Sequence, residues 1–322
     1  MIDKLLFFVF IFAFAYLIYK YSWKLQLHYG GFNTLYTPET FPIVNEEKYN
    51  IQIRKGISEM KNSKVIIAGL LRDVENQLPD IKQKLYNLVP NFQDYAILLV
   101  ENDSSDNTRK LLLDMTKNDP KIHILGCGVN VDKCSLSLEK TIGHSVPKKR
   151  IDKMTMLRNI YMDYIKSSAE YAEYDYLIVW DLDLIGNVYL DGIYNSFGYF
   201  RDDKNIDCIC ANGIYRWLGF MTIYYDTFAH LDWDDKFNIS EKFKHDIKKG
   251  LTVRADRGEG LRHVRSCFSG FAIYKLRPII DNNLKYEYTS ENELLCEHTT
   301  LNDKLSNIYM NPSLINYVIR NE

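Results

Sequence analysis

The sequence predicts an α/β domain with a Rossmann-like, mixed but mostly parallel central sheet, set behind an N-terminal transmembrane helix. Three observations carry this. Leu5 to Tyr19 is an unbroken apolar run of fifteen residues. Val65-Ile66-Ile67-Ala68-Gly69-Leu70-Leu71 is a second apolar run, of strand length, with the pattern of a strand buried on both faces of a parallel sheet. A helical repeat and another buried strand follow it at once, which makes a βαβ unit.

The first run is short for a bilayer core, which needs roughly 20 apolar residues. Lys4 before it, and Lys20 and Lys24 after it, extend its reach by snorkelling, and Tyr21 and Trp23 suit the interface. Residues 1–24 are read as a signal anchor touching the membrane through residues 5–23. A cleaved signal peptide, supported by Ala13-Phe14-Ala15, and a buried helix are the alternatives. The expected product is a single-pass membrane protein with its main domain lumenal, although the flanking lysines slightly favour the opposite orientation.

Residues 25–60 mix Tyr, Pro, Gly, Asn and Thr and read as a stem, with Ile51, Ile53, Ile57 and Met60 suggesting a short amphipathic helix. The catalytic domain is expected at 61–322. Within it, Leu78, Ile81, Leu85 and Leu88 keep helical spacing until Pro90 and Asn91, and 95–100 forms the next buried strand. A helix is expected at 107–118, a strand at 122–125, a helix at 153–168 and a strand at 176–180. Ligands of such sheets gather beyond the carboxyl ends of the strands. Arg72-Asp73, Glu101-Asn102-Asp103 and Asp181-Leu182-Asp183 all follow strands.

Acidic and basic residues nearly cancel, 42 against 40, so no global field gathers nucleic acid, and nucleic acid is not an expected partner. Cysteines 127, 134, 208, 210, 267 and 296 show no zinc spacing. Most read as buried thiols, with Cys127 and Cys134 the first candidate pair in a lumenal domain.

Asp181 and Asp183, one residue apart at a strand end, offer hard oxygen ligands to Mn²⁺ or Mg²⁺. Strand alternation sends both to one face. Such a cation neutralises a diphosphate and stabilises a departing nucleotide. Glu101-Asn102-Asp103-Ser104-Ser105-Asp106-Asn107-Thr108 is rich in capping residues, and Glu101 or Asp103 is suited to accept hydrogen bonds from a nucleobase or ribose. His298 is a competent Mn²⁺ ligand, and Glu297 beside it is a candidate catalytic carboxylate. The basic, glycine-broken stretch from Arg254 to Arg265 suits a loop folded over the diphosphate, with solvated surface charge the alternative. Asn102-Asp103-Ser104 and Asn238-Ile239-Ser240 fit glycosylation acceptors, the first overlapping the proposed donor site.

The order of these motifs resembles nucleotide-sugar glycosyltransferases of the A-type fold over about residues 64–317. Arg72-Asp73-x-Glu75-Asn76, the 101–108 turn, Tyr224-Tyr225-Asp226-Thr227-Phe228, Cys296-Glu297-His298-Thr299 and Ile308-Tyr309-Met310-Asn311-Pro312 are most similar to the fungal capsule-associated α-mannosyltransferase family. The resemblance implies a hexosyltransferase moving sugar from a UDP- or GDP-sugar to a glycan or glycoconjugate acceptor. It implies donor contacts from Arg72, Glu101, Asp103, Asp106, Arg158 and Asp181. Asp181, Asp183 and His298 become the metal ligands, and Glu297 with Asp183 the catalytic residues. A sugar-nucleotide nucleotidyltransferase and a non-catalytic, membrane-tethered carbohydrate-binding protein are the alternatives. The first usually carries a glycine-rich basic loop after its first strand, where this chain reads Leu70-Leu71-Arg72-Asp73-Val74.

Overall fold

The structure is a computed structural model. It describes residues 10–16, 43–138, 147–217, 221–233, 249–250, 253, 255–290 and 294–318. Residues 10–16 are helical, with Phe10, Phe12 and Phe14 exposed. The rest of the expected anchor, residues 25–42 of the stem, and Arg254 and Asn238 lie outside the described residues. Among the described residues no helix is long and apolar enough to cross a membrane.

Helix α1 (Glu46–Lys61) leads into β1 (Lys64–Leu71), α2 (Leu78–Leu88), β2 (Asp94–Glu101), α3 (Thr108–Asn118) and β3 (Ile122–Leu125). Next come α4 (Pro147–Ser167), β4 (Tyr176–Trp180), β5 (Gly186–Val188), α5 (Leu190–Asp202), β6 (Cys208–Trp217) and β7 (Met221–Tyr224). The chain closes with β8 (Arg262–Val264), β9 (Phe271–Lys275), α6 (Leu276–Asp281), α7 (Glu297–Asn302) and β10 (Ile308–Val318). The sheet order is β3-β2-β1-β4-β9-β6-β10-β5, with β7 on β6 and β8 on β10. β1 to β4 are mutually parallel, β9 runs against both β4 and β6, and β10 is parallel to β6. The mostly parallel mixed sheet expected from the sequence is therefore present.

The apolar runs sort by strand alternation into two cores. Ile66, Ala68 and Leu70 of β1 pack with Leu157, Tyr161 and Ile165 of α4 on one face. Val65, Ile67 and Leu71 pack with Leu78, Ile81 and Leu85 of α2 and Phe197 of α5 on the other. Burial on both faces is why β1 carries no polar alternation.

Helix α1 buries Tyr49, Gln52, Gly56 and Met60. That face differs from the expected isoleucine face because α1 crosses α5 at two glycines. A Cβ on Gly56 would lie 1.6 Å from the Tyr194 carbonyl oxygen, and one on Gly198 would lie 2.2 Å from that of Gln52. The Tyr49 hydroxyl donates to Asp191 at 2.5 Å and accepts from Arg257, which is also ion-paired with Asp191. The last turns of the segment read as a stem are thus packed into the domain. Gly56→Ala forces these helices apart and is expected to cost ~2 to 3 kcal/mol as an overpacked contact. Thermal unfolding checks this as a fall of several degrees in Tm.

Candidate functional site

The carboxyl end of β4 carries the acidic pair. The Asp181 amide donates to Gly270 O at 2.9 Å, which fixes the strand end against the Ser269-Gly270 turn before β9. Gly270 sits at φ 77°, and a side chain there would strike Leu184 and Asn316. The Asp181 side chain is 24% exposed and accepts Arg158 Nη2 at 2.9 Å. Loss of hydration raises its carboxyl against the opposing pull of Arg158. Asp183 opens to solvent on one side. Desolvation by the surrounding protein on the other, together with the charge of Asp181, pushes it up to about 6. Two carboxylates held this way repel each other, a state that a divalent cation relieves.

Behind the pair, Arg158 of α4 is almost wholly buried. Its Nε donates to Glu297 Oε1 at 3.0 Å, so one guanidinium bridges Asp181 and Glu297, and it lies 5.1 Å from the centre of the Phe268 ring. Arg158 and Glu297 stand 139 positions apart in sequence and meet because α7 packs against α4. His298 stacks on Phe268 with ring centres 3.5 Å apart. Among the described residues neither of its ring nitrogens has a hydrogen-bond partner, and Nε2 lies 3.8 Å from Glu297 Oε1. Burial first, and then the Arg158 charge, hold its pKa well below the usual histidine value, favouring the neutral ring. Among the described residues no three His, Cys, Asp or Glu side chains gather closely enough to hold a metal ion. Asp181, Asp183 and His298 therefore share a region without closing on one point.

One further carboxylate near this region escapes sequence reasoning. Asp226, in the turn after β7, has φ 65° and accepts the Ser269 amide at 3.1 Å. Desolvation, then the charges of Asp181 and Glu297, push it up to about 7. Its only sequence signal is an aspartate placed just after a strand, within the 224–228 motif.

The motifs after β1 and β2 form one interlocked unit. Asp73 N donates to Ser104 Oγ at 3.0 Å, Val74 N to Thr108 Oγ1 at 2.8 Å and Glu75 N to Asp106 Oδ2 at 3.0 Å. In return, Ser105 N donates to Asp73 at 2.6 Å and Asn107 N to Glu75 at 3.0 Å. Arg72 pairs with Asp73 at 3.2 Å. Asp106 also accepts Thr108 N, capping α3. The buried Glu101 accepts Arg109 Nη1 at 2.6 Å and Ser104 N at 2.8 Å. Asp103, at φ 54°, accepts Ser135 Oγ and Leu136 N, both at 2.9 Å, and Leu138 N at 3.4 Å. In this structure the acceptor oxygens of Glu101, Asp103 and Asp106 are engaged by their own chain. Asn102 is buried, which closes its glycosylation acceptor in the folded domain.

Two sequence expectations need correction. Of the arginines expected over a diphosphate, Arg257 is instead buried against Asp191, whereas Arg262 and Arg265 stay partly exposed, on Glu259 at 3.0 Å and Asp303 at 2.7 Å, as solvated charge would. Four of the six cysteines form disulfides, Cys127–Cys134 and Cys210–Cys267, leaving Cys208 and Cys296 as the buried thiols. The second bridge spans 57 residues, and only the packing of the segment before β9 against β6 brings its ends together.

The fold is an α/β domain with an acidic pair at the end of a central parallel strand. The family model described as Cryptococcal mannosyltransferase 1 matches residues 64–301, and the chain belongs to that family. The match runs from β1 through His298. Similar solved structures include the mannosyltransferase PcManGT from Pyrobaculum calidifontis in complex with GDP-Man and Mn²⁺. It is 8% identical, with a TM-score of 0.45 over 86% of this chain and 66% of that one. S. aureus TarS 1–349 in complex with UDP-GlcNAc is 11% identical, with a TM-score of 0.43 over 80% of this chain and 59% of that one. The chain spans 59% to 66% of the length of these two solved chains. No curated protein matches the sequence.

Proposed function

We propose that the chain is a metal-dependent glycosyltransferase that moves a hexose from a UDP- or GDP-sugar to a glycan or glycoconjugate acceptor. The observation that carries this reading is the Asp181 and Asp183 pair at the end of β4, one carboxylate anchored by Arg158 and the other an exposed residue whose carboxyl is raised by desolvation and by the charge of Asp181. Mn²⁺ or Mg²⁺ suits it, since Mg²⁺ in particular needs only one or two protein carboxylates and completes its shell with waters and substrate phosphates. When bound, the cation would neutralise the donor diphosphate and the charge growing on the leaving nucleotide.

The residues divide the remaining work. Arg158 holds Asp181 in one orientation and fixes Glu297 beside it through Nε. Glu297 Oε2 meets only the Cys296 thiol, at 3.5 Å, among its described contacts, and is the oxygen assigned to the acceptor hydroxyl. His298 is proposed as the third metal ligand in the donor-bound state. Its neutral ring and unpartnered nitrogens are the form a cation requires. His298→Ala should then weaken Mn²⁺ binding ~10-fold. Equal affinity in a metal titration would leave His298 a purely structural residue.

The exposed apolar helix at 10–16 supports anchorage through residues 5–23, and two disulfides favour a lumenal, oxidising placement for the domain. The full chain in detergent, incubated with Mn²⁺, UDP- and GDP-sugars and glycan acceptors, should release nucleoside diphosphate. A chain that binds glycans yet releases no nucleotide from any donor would be a carbohydrate-binding protein instead.

A further inference from the structure

The loop at residues 126–138 leaves β3 beyond the carboxyl ends of β2 and β3, on the side of the sheet where ligands of parallel strands collect. Its outer residues, Gly128, Val129, Asn130, Asp132 and Lys133, are exposed, so no apolar core fixes them. Polar latches do so instead. Asn130 trades hydrogen bonds with the backbone of Ile124 at 2.7 and 2.8 Å. Arg109 donates Nε and Nη2 to Val131 O at 3.1 and 2.7 Å while its Nη1 holds Glu101. Asp103 collects the three donors of residues 135–138. The Cys127–Cys134 bridge ties the two ends of the exposed part together.

Most of these latches begin on the 101–109 segment or on the bridge, so a segment expected to touch the donor holds this loop at the carboxyl ends of β2 and β3. Asp103 and Arg109 are the side chains that hold the loop in place. The two disulfides differ in access. Cys210 and Cys267 are completely buried, whereas Cys127 is exposed and Cys134 partly so. A soluble dithiol can reach the first bridge while the second is shielded.

We propose that the Cys127–Cys134 bridge, with Asp103 and Arg109 as positioning residues, holds loop 126–138 as the nucleoside-side wall of the donor crevice, so that breaking the bridge weakens binding of a nucleoside diphosphate. This rests on the glycosyltransferase reading above. Reduction is a balanced exchange: a dithiol supplies two electrons and two protons, the Cys127–Cys134 bond becomes two thiols, and the reagent closes to its own disulfide. A loop with few apolar contacts and one fewer tie spends less time closed, and apparent affinity falls by the fraction closed.

The test titrates UDP and GDP, each with Mn²⁺, into the full chain in detergent by calorimetry. Wild type is compared with the Cys127→Ala, Cys134→Ala double variant, with Asp103→Asn, and with wild type treated with dithiothreitol and then reoxidised. Whichever nucleotide wild type binds should bind the bridge-free and reduced forms about tenfold more weakly, with recovery on reoxidation. The KM for the matching nucleotide-sugar should rise with kcat unchanged, a split that general loss of structure would not produce. Dithiothreitol treatment keeps the test usable if the double variant folds poorly, with thiol alkylation and mass spectrometry confirming which bridge opened. Affinity unchanged by loss of the bridge overturns this inference whatever Asp103→Asn does. Failure of wild type to bind either nucleotide counts against the glycosyltransferase reading itself.

Discussion

Asp183→Ala should abolish metal-dependent donor binding and lower nucleotide release by at least ~10²-fold, the scale of losing one preorganised electrostatic partner of the departing group. The fold should survive. The Asp183 carboxyl faces solvent and is repelled by Asp181, so its removal relieves a like-charge contact and leaves Tm unchanged or slightly higher. Asp183→Asn, which keeps the shape and removes the charge, should behave the same way. Calorimetry with Mn²⁺ and a nucleotide-sugar is the deciding measurement. Donor affinity equal to wild type would remove the metal role from this pair.

Arg158→Ala should be the most damaging single change to both stability and activity. The buried guanidinium is shared by Asp181 and Glu297, and its loss leaves two carboxylates facing each other and Asp226 without the cation between them. Breaking a buried pair by removing one partner costs ~3 to 5 kcal/mol, or a Tm lower by ~10 °C. Arg158→Lys should recover only part of this, because one ammonium cannot reproduce the fork that presents Nε to one acid and Nη2 to the other. Thermal unfolding and nucleotide release measured together give the check. A variant that melts within a degree or two of wild type would show that the bridge contributes little to holding the site.

Elements whose pattern is local are the ones legible in the amino-acid order. β1, β2 and β4 announce themselves as apolar runs because each is covered on both faces, and the acidic residues at their ends stand out against those runs. Helix α4 is legible from its Leu157, Tyr161 and Ile165 face. The second half of the sheet is not. β6 and β10 contain Asn212, Asn311 and Asn316, whose buried amide nitrogens find partners across the fold: Asn212 Nδ2 in the Ala255 and Pro312 carbonyls, Asn311 Nδ2 in Ser196 Oγ, and Asn316 Nδ2 in Ser269 O. A polar residue in a buried strand looks like a loop until its partner is known. Helix α1 is legible as a helix, but its buried face is set by the Gly56 and Gly198 crossing, which hydrophobicity does not report.

The amino-acid order by itself determined the parallel half of the sheet, the place of Asp181 and Asp183 at a strand tip and the succession of motifs shared with the family, because each depends on residues close together along the chain. Only the tertiary structure decided that Arg158 would be sealed between Asp181 and Glu297, that Asp226 would join them, that Arg257 would be taken by the buried Asp191 and that Glu101 and Asp103 would hold a loop. Those pairings depend on which strands and helices become neighbours, and charges far apart in sequence choose their partners by that packing.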